Sequence, residues 1–106
     1  MNSAQSTEYA AVRHILTSPR IATRTAPYIG TDDFDWDGLL SEARTMSGGE
    51  HVLVRIAYDL WEARGLVGIS DLARRLDGGA FERAIDALRI SRGELEPGVE
   101  PVYAAV

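Results

Sequence analysis

The stretch from residue 47 to residue 65 constrains the fold more than any other. It opens with Ser47-Gly48-Gly49-Glu50, a hydroxyl followed three positions later by a carboxylate, which is the spacing of a helix capping box. Residues 52–64 are then the most apolar part of the chain. Leu53, Ile56, Ala57, Leu60 and Arg64 share one helical face, and Val54, Tyr58 and Trp61 widen it. Val52, Val54, Ile56 and Tyr58 also alternate as a half-buried strand would. Length, the cap, Arg55 and Asp59 four apart and Gly65 as a stop signal decide for a helix, the central one of the fold.

Other helical patterns flank it. Upstream, residues 7–16 place Tyr9, Val12 and Leu16 on one face, with Ile15 beside them, and Ser18-Pro19 ends the run. Residues 20–30 are rich in Thr, Ala, Pro and Gly and read as a linker. Asp35 has N-cap character, and Phe34 and Leu39 stand at hydrophobic-staple spacing around it, ahead of a stripe of Leu39, Leu40, Ala43 and Met46. Downstream, 67–69 read as a short extended piece. Ser70 is the expected cap of a brief helix over 71–76 with Leu72, Ala73 and Leu76, and Asp77-Gly78-Gly79 the expected turn. Phe81, Ala84, Ile85 and Leu88 then follow the i, i+3, i+4, i+7 pattern of a helix that Gly93 closes.

The pattern predicts an all-α fold: a small bundle of three to four short helices, with an N-terminal helical arm and an extended C-terminal tail. The 106 residues suit a single domain. Its expected divisions are the arm and linker at 1–30, the helical core at 31–93 and the tail at 94–106. The expected core is Phe34, Leu39, Leu40, Ala43, Leu53, Ile56, Leu60, Leu72, Leu76, Phe81, Ile85 and Leu88. Such a core is small, and an arm bearing Tyr9, Val12 and Leu16 needs this body or another copy to cover it.

Composition removes several chemistries. There is no Cys and no Lys, so a thiol nucleophile, a thiolate metal site, a Schiff base and the usual lysine-bearing phosphate loop are absent. Ser47-Gly48-Gly49-Glu50 resembles part of the signature motif of ABC-type ATPases, but without that lysine the helix cap accounts for the same letters. Asp33-Phe34-Asp35-Trp36-Asp37-Gly38 has the opening spacing of an EF-hand loop, yet Arg44 stands where the bidentate Glu belongs. These acids read instead as a favourable charge at a helix N-terminus. His14 and His51 are the only imidazoles, and neither sits in a hydrolase motif. Acid pairs such as Asp59 with Glu62 and Glu82 with Asp86 read as solvated helix faces. The expectation is a protein that is not an enzyme and holds no cofactor and no metal.

All eleven basic residues are Arg, against sixteen acids, a formal net charge of −5. Exclusive Arg is most simply a codon effect of a GC-rich bacterial genome. Residues 1–30 carry three Arg and one Glu, a net of +2, and the remainder eight Arg and fifteen acids, a net of −7. An acidic body disfavours nucleic acid as a partner. No apolar run spans a membrane, and no export signal or disulfide argues against a cytoplasmic location.

Residues 50–93 allow a helix-turn-helix-like arrangement, and residues 50–106 resemble the winged-helix family of DNA-binding domains. That resemblance makes residues 81–92 a recognition helix displaying Glu82, Arg83, Asp86 and Arg89, with Arg74, Arg75, Arg83, Arg89 and Arg92 as nucleic-acid-binding residues. Two features depart from the family: Asp77 stands where the turn glycine belongs, and the turn is about two residues short. Residues 64–93 hold six Arg against four acids, enough only for weak phosphate attraction. The preferred expectation is a non-catalytic bacterial accessory or adaptor protein acting through helical protein–protein contacts, with a protein partner or a homo-oligomer. Tyr9, Val12 and Leu16 on the arm and Val102, Tyr103 and Val106 on the tail are its expected contact residues. A small winged-helix-like transcriptional regulator is the alternative.

Overall fold

Hydroxyl and carboxylate caps start four of the helices and set the spacing of the chain. The computed structural model describes residues 6–63, 65 and 67–96. Among them run α1 (Thr7–Leu16), α2 (Ala22–Thr25), a 3-10 turn (Ala26–Tyr28), α3 (Trp36–Ala43), α4 (Gly48–Glu62), α5 (Ile69–Arg75) and α6 (Gly78–Ser91). The described residues form no strand, only an isolated antiparallel bridge between Ile29 and Phe34. The fold is an all-α bundle.

Helix α1 begins at Ser6, whose hydroxyl accepts from Tyr9 N at 3.0 Å. It has the bounds expected from the sequence, but it is no arm. It packs against α6 and α4, and Tyr9, Val12 and Leu16 are 2%, 0% and 0% exposed. The body of the same chain covers them, so they are core residues and present no contact surface.

The segment 20–30 is likewise structured where a linker was expected. Ser18 Oγ donates to Ile15 O at 2.6 Å, and the fully buried Thr25 Oγ1 donates to Leu16 O at 2.6 Å. The Thr25 bond satisfies the Leu16 carbonyl at the end of α1, the Ser18 hydroxyl joins Ser18 N on Ile15 O, and together they turn the chain back along the helix. Ile21 is buried in the corner they make. The loop that follows is tied by the Tyr9 hydroxyl, which donates to Gly30 O at 2.5 Å.

Phe34 is the centre of an aromatic cluster. Its ring stacks on Tyr9 at a centroid distance of 4.9 Å, meets Trp61 edge-on at 5.1 Å and tilts against Trp36 at 5.4 Å. Trp36 in turn meets Tyr58 at 5.1 Å. The cluster joins α1, α3 and α4, and both staple residues, Phe34 and Leu39, are buried. Asp35 caps α3 by accepting from Gly38 N at 3.1 Å.

Helix α4 carries the expected capping box: Glu50 N donates to Ser47 Oγ at 3.4 Å, and Ser47 N to Glu50 Oε1 at 3.3 Å. Val52, Leu53, Val54, Ile56 and Ala57 are all buried, a run that only a helix covered on several sides accommodates. Beyond it, α5 starts at Ile69, so the expected extended piece is shorter and Gly68, not Ser70, is the cap. The Asp71 carboxylate accepts from Gly68 N at 3.1 Å. Asp77 caps α6 by accepting from Ala80 N at 2.9 Å, which draws Gly78 and Gly79 out of the expected turn and into the first helical turn. Gly93 closes α6 with a φ of +81°, as a terminating glycine does.

The largest correction concerns the face of α6. Ala80, Ala84, Ala87 and Ile90 are buried, whereas Phe81 and Leu88 stand 37% and 40% exposed and Ile85 is half-buried. Leu40, Leu60, Leu72 and Leu76 also sit at the margin of the core. The buried alanines let α6 pack closely into the bundle, Ala80 beside Leu53 and Ala84 beside Ile56 and Leu60 of α4, and a larger side chain there would force the helices apart.

Two outcomes test this packing in urea unfolding at low protein concentration. Ala87→Leu should cost about 1–3 kcal/mol by overpacking, whereas Leu88→Ser should cost less than about 1 kcal/mol as a partly exposed position. Removing residues 1–16 should abolish cooperative thermal unfolding followed by circular dichroism, because it removes the helix that α4 and α6 both pack against.

Candidate functional site

Because the alanine stripe is turned into the bundle while Arg83 and Asp86 reach α1, the outer side of α6 carries large apolar groups. Phe81, Ile85 and Leu88 run along it at spacings of four and three, which is one helical face. Beside them lies a shallow groove of about 150 Å³, lined by Ile56 and Leu60 of α4, Val67 and Leu72, and Ala84 and Leu88 of α6. Asp59 stands at its rim, and its carboxylate accepts from Gly65 N at 2.5 Å where α4 ends. Ile69, at the start of α5, is 80% exposed. Among the described residues, Ile69, Phe81 and Leu88 are the exposed large hydrophobics, and all three belong to α5 and α6.

The basic residues expected to touch nucleic acid do not share one surface. Arg83 is half-buried against α1: its Nε donates to His14 O at 2.8 Å and its Nη2 to Thr17 O at 3.3 Å. It thus caps the negative end of the α1 dipole. Arg75 pairs with Asp71 at 3.3 Å within α5, and Arg92 Nε donates to Glu94 at 2.6 Å. Arg74 and Arg89 are exposed. Asp86, expected on an exposed recognition face, is buried instead, with Oδ2 3.5 Å from His14 Nε2. Val102, Tyr103 and Val106 lie outside the described residues.

Other polar groups are engaged in structure. His51 Nδ1 lies 2.9 Å from Ala43 O, so that nitrogen carries the proton and donates, fixing the imidazole between α3 and α4. Arg20 pairs with Asp77 and lies 3.8 Å from Glu50, tying the starts of α4 and α6 together. Arg24 grips Glu42 Oε1 through Nε at 3.0 Å and Nη2 at 2.9 Å, and the Tyr28 hydroxyl donates to Glu42 Oε2 at 3.3 Å. Burial, and then the Glu42 carboxylate, push the Tyr28 phenol above its ordinary 10.0. Among the described residues no three His, Asp or Glu side chains converge as metal ligands, and no helix is long and apolar enough to cross a membrane.

Comparison of the chain with protein-family models, with curated proteins and with solved structures finds no match in any of the three.

The apolar face was hidden from sequence reasoning because its residues were assigned to the core. The signal that marks it is the second stripe on α6, Ala80, Ala84 and Ala87, which has the same helical period as the large residues and competes with them for the interior.

The Tyr28 assignment is open to alkaline titration of the phenol absorbance. Ionisation of Tyr28 should come later than that of a free tyrosine, and Glu42→Gln should bring it back down. Since the folded chain holds this proton more tightly than the unfolded chain, the stability it contributes is present below the unfolded value and is lost as pH rises through the folded one.

Proposed function

We propose that the chain is a non-catalytic binding module, a small accessory or adaptor protein that acts through helical protein–protein contacts. Its contact surface is the face shared by α4, α5 and α6. One observation carries this reading: Ile69, Phe81 and Leu88 are exposed and Leu88 lines an apolar groove, whereas the other large apolar side chains among the described residues are at least partly covered. Contiguous apolar surface rimmed by charge is the usual mark of a docking site. Asp59 supplies charge at the rim of the groove, and Arg74 and Arg89 are exposed on α5 and α6. A cytoplasmic location belongs to the same proposal, consistent with a sequence that has no Cys.

The regulator reading has less support. Its recognition helix would be α6, but Arg83 and Asp86 of that helix face α1. The −5 charge opposes the phosphate backbone.

A photo-crosslinking residue placed at 81 or 88, with one at exposed Thr45 as control, tests the surface in the native cell. Defined protein adducts from 81 and 88 and none from 45 are the expected result. Adducts no more specific than the control would sink the proposal. Random duplex DNA in a salt series should show no retention of the chain, even at low salt.

A further inference from the structure

We infer that the apolar face of α6 receives α6 of a second copy of this chain, the two helices running antiparallel about a twofold axis. The inference rests on the reading of this face as a contact surface and names its occupant. The first argument is register. Phe81, Ile85, Leu88 and Arg92 are spaced four, three and four apart, the d, a, d, a spacing of a coiled-coil seam. A twofold axis passing between Ile85 and Leu88 sets Ile85 against Leu88 of the second copy, and Phe81 against the aliphatic stem of Arg92.

The second argument is charge. Glu82 and Arg89 occupy the same flanking position along the seam, seven residues apart. An antiparallel pairing places Glu82 beside Arg89 of the second copy, and the symmetry makes that attraction twice. A parallel pairing would instead bring Asp77 towards Glu82 of the second copy, like charge against like. The surrounding segment also tolerates a copy of itself. Residues 67–96 hold five Arg and six acids, a net of −1, whereas residues 6–63 hold five Arg and nine acids, a net of −4. Of these two parts, the one whose net charge is nearer zero is thus the one that bears the exposed apolar groups.

Sedimentation equilibrium of the full chain, from low to high micromolar concentration, is the first test. A reversible monomer–dimer equilibrium is expected, as suits a seam of only three turns. Leu88→Glu should give a monomer at every concentration while its melting curve at low concentration stays that of a folded chain. Glu82→Arg and Arg89→Glu should each weaken dimerisation about tenfold, and the double variant should restore it, because exchanging the two charges preserves the antiparallel pairing. Strengthening by Glu82→Arg alone would mark a parallel seam and overturn the assignment, as would a full chain that is monomeric throughout. If the full chain is monomeric but residues 81 and 88 still crosslink to a different protein in the cell, the contact surface stands and only the second copy falls. Loss of both signals removes the contact surface as well.

Discussion

The close approach of α1 and α6 is the contact on which the rest of the structure depends. Ala80, Ala84 and Ala87, all buried, let α6 settle into the bundle by presenting side chains too small to hold its neighbours apart. Once that stripe is turned inward, the orientation of α6 is settled. Arg83 then falls where it can reach the last carbonyls of α1, and Asp86 falls beside His14. Phe81 and Leu88 are carried outward by the same rotation. The apolar surface is therefore the reverse side of a packing solution, and it could not be removed by local adjustment of α5.

Arginine alone supplies the cationic contacts between elements. A guanidinium makes several directed bonds at once, and the chain uses that property repeatedly. Arg24 holds α3 to the corner after α1, Arg20 spans the first turns of α4 and α6, and Arg83 grips two carbonyl oxygens at the end of α1. Spent in this way, these cations stabilise the bundle and contribute little outward field, while the acids set the net charge.

What could be read from the sequence was local. The Ser47 and Glu50 cap, the Asp35 cap with its Phe34 and Leu39 staple, the bounds of α1 and the Gly93 stop all follow from bonds made within a few residues. What could not be read was decided by distant parts of the chain. Two stripes of equal period compete on α6, and a hydrophobic scale favours the larger residues, but the partner helix accepts the smaller ones. Ser18-Pro19 looked like the end of an arm, yet Ser18 and Thr25 bond the last carbonyls of α1 and fold the chain back. Position along the chain suggests an exposed α1, yet Tyr9, Val12 and Leu16 are buried. Exposure is a property of the assembled bundle, and the surface lies on α6, whose Phe81, Ile85 and Leu88 the periodicity assigns to the core.

The contact between Arg83 and His14 joins residues 69 positions apart. A helical protein usually owes its rapid folding to short-range contacts, but this one completes its core only when α1 and α6 meet. During synthesis α1 leaves the ribosome early and must wait, with Tyr9, Val12 and Leu16 uncovered, until α6 has emerged. The nascent chain thus exposes an adhesive α1 face for as long as α6 has not yet emerged.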